Sequence, residues 1–357
     1  MLAKQTILTT IVSHENVHIH RRFQSYRDRD SSSVIDQSHF TYNGIGPDFV
    51  LEQVPDPQTP EQGLLWQDVL ACIEVRRGPT HGPGNVGTTA SESPRAASVT
   101  VQAGDYARLQ LSLRPFQLYS ICVIIHGNRF TVSVYDRGGV MHSKPKRLYD
   151  SKLRVRARFI KVIRRLAVDM TEAQLGRDPS VELLDPSASV RDDRLTSRPD
   201  YNVVLPGVEE SQQKWKTTGA LRWTSYSLVG RGTTVWTVRS VARKNSILKS
   251  AWRDTHLRTE SSIYEYLREI GILRQRGITN FVCGSDATFT TSDGETVVLS
   301  VNSQRPACAF LPPDDDIVLH RMIFRPIGKP FWEFSDPSEF VRGLMAIVDG
   351  TLSKTFM

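Results

Sequence analysis

Apolar and polar positions alternate along this chain in short blocks, and the period changes from block to block. Residues 66–76 are a largely apolar run ending in Ile73-Glu74-Val75-Arg76, which predicts a strand or strand pair. Ile121–Ile125 and Phe130–Tyr135 are two β-like runs around His126-Gly127-Asn128-Arg129 and predict a hairpin, with Asp136-Arg137-Gly138-Gly139 as the next turn. Further strands are predicted over Trp223–Val229, Val235–Ser240, the short Ile247-Leu248-Lys249 and the apolar Val318–Phe324. A second hairpin is predicted around Asp293-Gly294, between Phe289 and Val298. The helical period marks Val99–Leu113 despite Gly104, then residues 153–175, Arg258–Ile270 and Ser335–Val348. In the second of these, Val155, Phe159, Val162, Ile163 and Leu166 share a face and basic residues fill the rest. In the third, Ile263, Tyr266, Leu267 and Ile270 share a side.

These blocks predict an α+β fold. Residues 1–60 read as a polar N-terminal segment with a proline-rich end, and His14, His18 and His20 lie in it without acidic or thiol partners at ligand spacing. Residues 61–175 read as an upstream mixed α/β domain. Residues 176–217 carry Asp178-Pro179, Asp185-Pro186, Arg198-Pro199 and Leu205-Pro206 and read as a linker. Residues 218–357 read as the second domain. No internal repeat is visible.

Composition narrows the class. Of 357 residues, 39% are hydrophobic and 23% charged, as in ordinary globular chains. The net charge of +7 comes from 45 basic against 38 acidic side chains spread along the sequence. That balance reads as a solvated mixed surface: it permits an anionic ligand, and nucleic acid is not expected as a partner. Cys72, Cys122, Cys283 and Cys308 form no Cys-x-x-Cys pair, so no metal site is expected, and such sparse cysteine use suggests an intracellular protein, cytoplasmic or nuclear. No run approaches the ~18 apolar residues of a membrane span, so no membrane association is expected.

One constellation carries chemistry. Gly230-Arg231-Gly232 lies between two predicted strands, where glycine lets backbone N–H groups approach a phosphate. No helix follows as a dinucleotide-binding fingerprint requires, and no Gly-Lys-Ser/Thr completes a P-loop. A glycine turn, then a strand bearing Lys249, then a helix bearing Glu260 is the element order of a protein-kinase N-lobe.

Val229-Gly230-Arg231-Gly232-Thr233-Thr234-Val235-Trp236, Leu248-Lys249-Ser250-Ala251-Trp252-Arg253-Asp254 and Phe324-Arg325-Pro326-Ile327-Gly328-Lys329-Pro330 resemble the fungal-type protein kinase family. So do Trp66-Gln67-Asp68-Val69, Ile73-Glu74-Val75-Arg76, Gly127 to Gly139 and Leu175-Gly176-Arg177-Asp178-Pro179-Ser180 upstream. The resemblance spans roughly residues 60–350. It implies a five-stranded kinase-like N-lobe with the beginning of a C-lobe, ATP with Mg²⁺ as cofactors, and a nucleotide as ligand. Gly230 and Gly232 would cover phosphates, Lys249 would pair with them, Glu260 would brace Lys249, and Met322–Pro326 would flank the adenine. The chain departs from the pattern in Val235 at the third glycine and in Arg325 where the family is expected to be acidic. A catalytic-loop aspartate, its metal-binding asparagine and an Asp-Phe-Gly triplet do not occur in the sequence, and His320-Arg321-Met322 falls inside a predicted strand. No catalytic residue is therefore assigned. The expectation is a truncated serine/threonine kinase, inactive as written, or a pseudokinase scaffold that holds an unknown protein partner.

Asp68 with Glu74-x-Arg76 also resembles the Asp…Glu-x-Lys signature of restriction-endonuclease-like folds, in which two carboxylates hold Mg²⁺. Arg76 replaces the lysine and cannot give up a proton near neutral pH. The expectation here is an ordinary α/β scaffold, with a degenerate nuclease-like domain as the alternative.

Overall fold

The structure, a computed structural model, describes residues 21–25, 46–53, 66–83, 94–114, 116–151, 154–184, 201–206, 212–240, 244–273, 277–325, 327–328 and 333–355. The histidines at 14, 18 and 20 and the proline-rich run 54–60 lie outside them. Contacts divide the chain into two units: Met1–Pro179 with Ser225–Gly232, and Ser180–Thr224 with Thr233–Met357.

The first unit is built on β1 (Arg21–Ser25), β2 (Phe49–Gln53), β3 (Val69–Arg76), β4 (Ser120–His126), β5 (Arg129–Asp136), β6 (Gly139–His142) and β7 (Lys146–Arg147). They form one sheet in the order β1-β2-β3-β4-β5-β6, with β7 against β5. The sheet starts at Arg21, inside the segment expected to be polar and structureless: β1 and β2 are too short and too far apart in sequence to show a period. β3 and β4 are parallel. Parallel neighbours need a crossover, and α1 (Pro94–Leu113) supplies it. Burial on both faces explains why β4, Ser-Ile-Cys-Val-Ile-Ile-His, reads as a continuous apolar run. On one face Val99, Ala103, Tyr106 and Ala107 of α1 cover Cys72, Cys122 and Ile124. On the other, Phe159 and Ile163 of α2 (Ala157–Arg164) cover Ile73, Val123 and Phe130.

The helix expected over 153–175 is interrupted. After α2 the backbone opens into a wider turn, Arg165–Asp169, where the Met170 N–H bonds Arg165 O at 2.9 Å, and a short 3₁₀ turn, Ala173–Leu175, follows. Gly176 ends that turn at φ +100°, and a Cβ there would lie 2.4 Å from Tyr119 O. Only glycine meets both demands.

The second unit holds β8 (Val181–Leu183), β9 (Tyr201–Pro206), β10 (Gln212–Thr224), β11 (Thr234–Ser240), β12 (Asn245–Asp254), β13 (Asn280–Asp286) and β16 (Ile317–Arg325), paired in the order β13-β16-β12-β11-β10-β9-β8. All neighbours run antiparallel. The sheet has seven strands against the five expected of a kinase-like N-lobe: β8, β9 and the first part of β10 come from the stretch expected to be a linker, the strand expected over Trp223–Val229 stops at Thr224, and β13 is not among the strands the sequence predicts. Tyr201, Val203 and Leu205 are buried at a two-residue spacing, so β9 is a half-buried strand, and Pro206 lies at its end. The short strands β14 (Thr288–Thr290) and β15 (Thr296–Val298) form the hairpin expected around Asp293-Gly294, with Gly294 at φ +88°.

Helix α3 (Glu260–Glu269) packs on the sheet through Leu267 and Tyr264 against Phe281, Met322 and Phe324. Of the four residues expected to form its apolar stripe, only Leu267 is buried; Ile263, Tyr266 and Ile270 are exposed. The covered surface is rotated from the one that the apolar spacing suggests, because Tyr264 stacks on Phe281 with centroids 5.3 Å apart. Helix α4 (Val301–Gln304) is a single turn, and α5 (Pro337–Thr355) begins behind Asp336, whose Oδ1 accepts the Glu339 N–H at 2.8 Å. Among the described residues no helix is long and apolar enough to cross a membrane.

Candidate functional site

The second unit places Lys249 and Glu260 together. Lys249 lies in the middle of β12, held in register by Val235 on β11 and Met322 on β16. Glu260 opens α3 one residue after Thr259, which caps the helix by accepting the Ser262 N–H at 3.0 Å. The cap fixes where the helix starts and so where Glu260 points. The Lys249 ammonium donates to both Glu260 oxygens at 2.7 Å, with the two side chains 26% and 30% exposed. A carboxylate in the first turn of a helix is also favoured by the helix dipole. An ammonium carries three donors. Two reach Glu260, and the third is available to a ligand oxygen on the exposed side.

Sequence reading missed a second charged group on the same face. By strand alternation Lys249, Ala251 and Arg253 of β12 share a face with His320 and Met322 of β16. Asp286, the last residue of β13, stands opposite His320. Its carboxylate accepts from His320 Nδ1 at 2.7 Å and from Arg253 Nε and Nη2 at 3.0 and 2.6 Å. These residues come from three separate strands and carry no common motif. Burial pushes the Asp286 carboxyl up, but the hydrogen bonds from His320 and Arg253 outweigh it and hold it at about 2. His320-Arg321-Met322 lies within β16, as its sequence context implies.

A folded-state pKa below the unfolded value of about 3.9 gives stability that is present above that value and is lost as pH falls through 2. The depression is worth roughly 2 kcal/mol. Urea unfolding at pH 5 and at pH 2 should show that difference between the wild-type chain and Asp286→Asn, with the variant losing less on acidification. Equal pH slopes for the two chains would contradict the arrangement.

The glycines fall in the other unit. Gly230 and Gly232 belong to Ser225–Gly232, which contacts assign to the first unit, and both have positive φ, +85° and +44°. Sequence reading expects them to be a hairpin open to phosphate. Strand pairing between β10 and β11 instead stops at Thr224↔Thr234, and the intervening turn is held by Arg137. The buried Arg137 guanidinium donates from Nη1 to the carbonyls of Ser227 and Leu228 and from Nη2 to Leu111 O. The Gly230 N–H donates to Arg137 O at 3.3 Å, and Ser112 Oγ donates to Ser225 O at 3.1 Å. A Cβ on Gly232 would lie 2.4 Å from the guanidinium carbon, so the second glycine is required by Arg137 itself. Burial lowers the Arg137 pKa to about 10. Arg137→Met removes these donors. At roughly 1 kcal/mol per net hydrogen bond, amide exchange across Ser225–Gly232 should accelerate by about tenfold or more; unchanged exchange would show that the guanidinium does not hold the turn.

Other expected contributors are placed as follows. Met322 lies on β16, fully buried, while Pro326 lies outside the described residues. Arg325 ends β16, donates from Nε to Ser246 Oγ at 2.8 Å and sits over the Trp215 ring at 5.7 Å. The residue expected to be acidic is therefore a cation tied to its own sheet. Asp68 ends a 3₁₀ turn, Trp66–Asp68, ahead of β3, so it does not share a strand with Glu74. Asp48 is the residue next to Glu74 across the strands: Phe49 pairs with Ile73, and Asp48 accepts the Val75 N–H at 2.7 Å. Glu74 is buried, accepts from Tyr106 Oη at 3.1 Å and pairs with Arg76 at 3.0 Å. Among the described residues no group of three or more His, Cys, Asp or Glu is placed to hold a metal ion.

The fold and the Lys249–Glu260 pair define a protein-kinase-like N-lobe in the second unit. A family comparison makes the assignment specific: the fungal protein kinase family matches residues 47–353, most of the chain, and the chain belongs to that family. No curated protein and no solved structure matches it.

Proposed function

We propose that this chain is a nucleotide-binding member of the fungal protein kinase family, in which Lys249, braced by Glu260, receives the phosphates of ATP–Mg²⁺. The reading rests on the doubly bonded Lys249–Glu260 pair at 2.7 Å, one partner on a central strand and the other opening the helix that follows it. A lysine held in this way presents its ammonium at a fixed point, which is what phosphate recognition by a point charge requires. Gly230 and Gly232 are proposed as backbone groups that would meet a phosphate. Mg²⁺ is proposed to enter as the ATP complex.

The chain is further proposed to bind rather than transfer. Phosphoryl transfer depends on a catalytic-loop aspartate that receives the hydroxyl proton and on metal-binding Asn and Asp side chains. The 357 residues contain neither His-Arg-Asp nor Asp-Phe-Gly. A nucleotide-binding lobe of this kind serves as a scaffold whose partner is another protein. The test is incubation with ATP labelled on the terminal phosphate and a generic protein acceptor. No label should pass to the acceptor or to the chain, and transfer that Lys249→Ala abolishes would overturn the binding-only reading.

A further inference from the structure

Three stretches far apart in sequence meet at one end of the first unit's sheet: Arg76-Arg77-Gly78-Pro79-Thr80-His81, His126-Gly127-Asn128-Arg129 and His142-Ser143-Lys144-Pro145-Lys146-Arg147. None contains an aspartate or glutamate. The strand register lines them up: Arg76 pairs with His126, His126 with Arg129, Arg129 with Arg147, and Phe130 with Lys146. Four neighbouring strands at ~4.8 Å spacing make this a row about 14 Å long. Arg156 joins it, since its N–H bonds Leu148 O at 2.9 Å.

Arg76 is paired with Glu74 and His126 is buried, but the exposed charges around them are not used by the protein. Arg77, Arg129, Lys144, Lys146, Arg147 and Arg156 are exposed, and among the described residues none pairs with a carboxylate. Elsewhere in the same unit Arg22, Arg108, Arg154, Arg164 and Arg177 each meet one. The carboxylates nearest in sequence are already engaged, Glu74 by Arg76 at 3.0 Å and Asp150 by Arg154 at 2.9 Å. Like charges gathered without counter-ions repel one another, so the arrangement costs stability unless an anion compensates it.

The geometry points to a nucleic-acid backbone as that anion: we propose that the first unit binds duplex nucleic acid, without cleaving it, across the Arg76–Arg147 row. Guanidinium groups dominate the row, and their planar fork suits phosphate oxygens. Arg129 and Arg147 stand opposite each other on neighbouring strands, which fixes their spacing, and Arg77, Lys144 and Arg156 flank them on the adjoining segments. None of the large apolar side chains exposed on this protein lies in the three stretches, which leaves no wedge for a lipid surface. Cleavage is not part of the proposal because Arg76, in the position of the nuclease lysine, is tied to Glu74 and Gln102. The inference is independent of the nucleotide reading of the second unit.

The test is fluorescence anisotropy of the full chain with a labelled duplex of about 20 base pairs, over a series of salt concentrations, beside the triple variant Arg129→Gln, Lys146→Gln, Arg147→Gln. These side chains are exposed, so the variant should keep the wild-type circular dichroism spectrum. Arg164→Gln, whose partner is Asp169, is the control and should bind as wild type does. Each lost phosphate contact should lower the salt slope by about 0.9, so the triple variant should lose roughly 2.7 in slope and at least tenfold in affinity at low salt. Absence of wild-type binding at low salt would overturn the proposal, as would equal binding by the triple variant. Variant-sensitive binding to phosphatidylserine vesicles with no binding to the duplex would overturn it in favour of a membrane surface.

Discussion

Replacing Lys249 with alanine should abolish the rise in melting temperature that saturating ATP–Mg²⁺ is expected to give the wild-type chain. A ligand at about 100 times its dissociation constant stabilises the folded state by roughly 2.7 kcal/mol. For a unit of this size that is a shift of about 2–4 °C per kcal/mol, well within reach of scanning fluorimetry. Without the ammonium, the phosphates would lose their fixed cation, and the Glu260 carboxylate would face them without the Lys249 charge. Glu260→Gln should act in the same direction but more weakly, because the charge on Lys249 survives while its position is no longer fixed. A Lys249→Ala chain that is stabilised as much as wild type would remove the pair from the account.

The largest loss of stability is expected from Phe281→Ala. Phe281 is 2% exposed on β13, stacks on Tyr264 at 5.3 Å, meets Phe324 at 5.9 Å and lies beneath Arg268 at 5.2 Å. Truncating a buried phenylalanine leaves a cavity and costs about 3–5 kcal/mol. Domains of this size are stable by about 5–15 kcal/mol. Most of the second unit's margin would go, and α3 would lose the surface that positions Glu260. Urea titration followed by tryptophan fluorescence should show the midpoint falling with little change in slope. A variant within 1 kcal/mol of wild type would mean that Tyr264 and Phe324 close the gap unaided.

Much of the second unit is legible in the sequence because its signals are local. Lys249 and Glu260 lie within 12 positions of each other, from 249 to 260, and the strand and the helix that carry them both stand out in the sequence. What escaped the reading depends on pairing between distant segments. Tyr201, Val203 and Leu205 show a strand period, but the prolines around them suggest a linker; only pairing with β10 makes β9 part of the sheet. Asp286, Arg253 and His320 meet because three strands share a register, which no spacing reveals. Asp48 rather than Asp68 stands beside Glu74 because β2 is antiparallel to β3, and β2 is too short to show a period of its own. The basic row was diluted in a net charge of +7 spread over the whole chain until the register of β3, β4, β5 and β7 collected it.

Arg137 illustrates the same limit. As part of Asp136-Arg137-Gly138-Gly139 it reads as a turn residue with an exposed charge. The structure buries it and directs its donors at the carbonyls of Ser227 and Leu228. Gly232 is thereby constrained by the approach of Arg137, a demand that the sequence does not show.

The proposed nucleotide site of the kinase-like unit is built on Lys249 and Glu260, and isothermal titration of the wild-type chain with ATP–Mg²⁺ tests it. A saturable 1:1 heat is expected, with adenosine binding far more weakly because it lacks the phosphates that Lys249 is proposed to hold. A folded wild-type chain that gives no heat with ATP–Mg²⁺, or that binds adenosine as tightly as ATP, would contradict it.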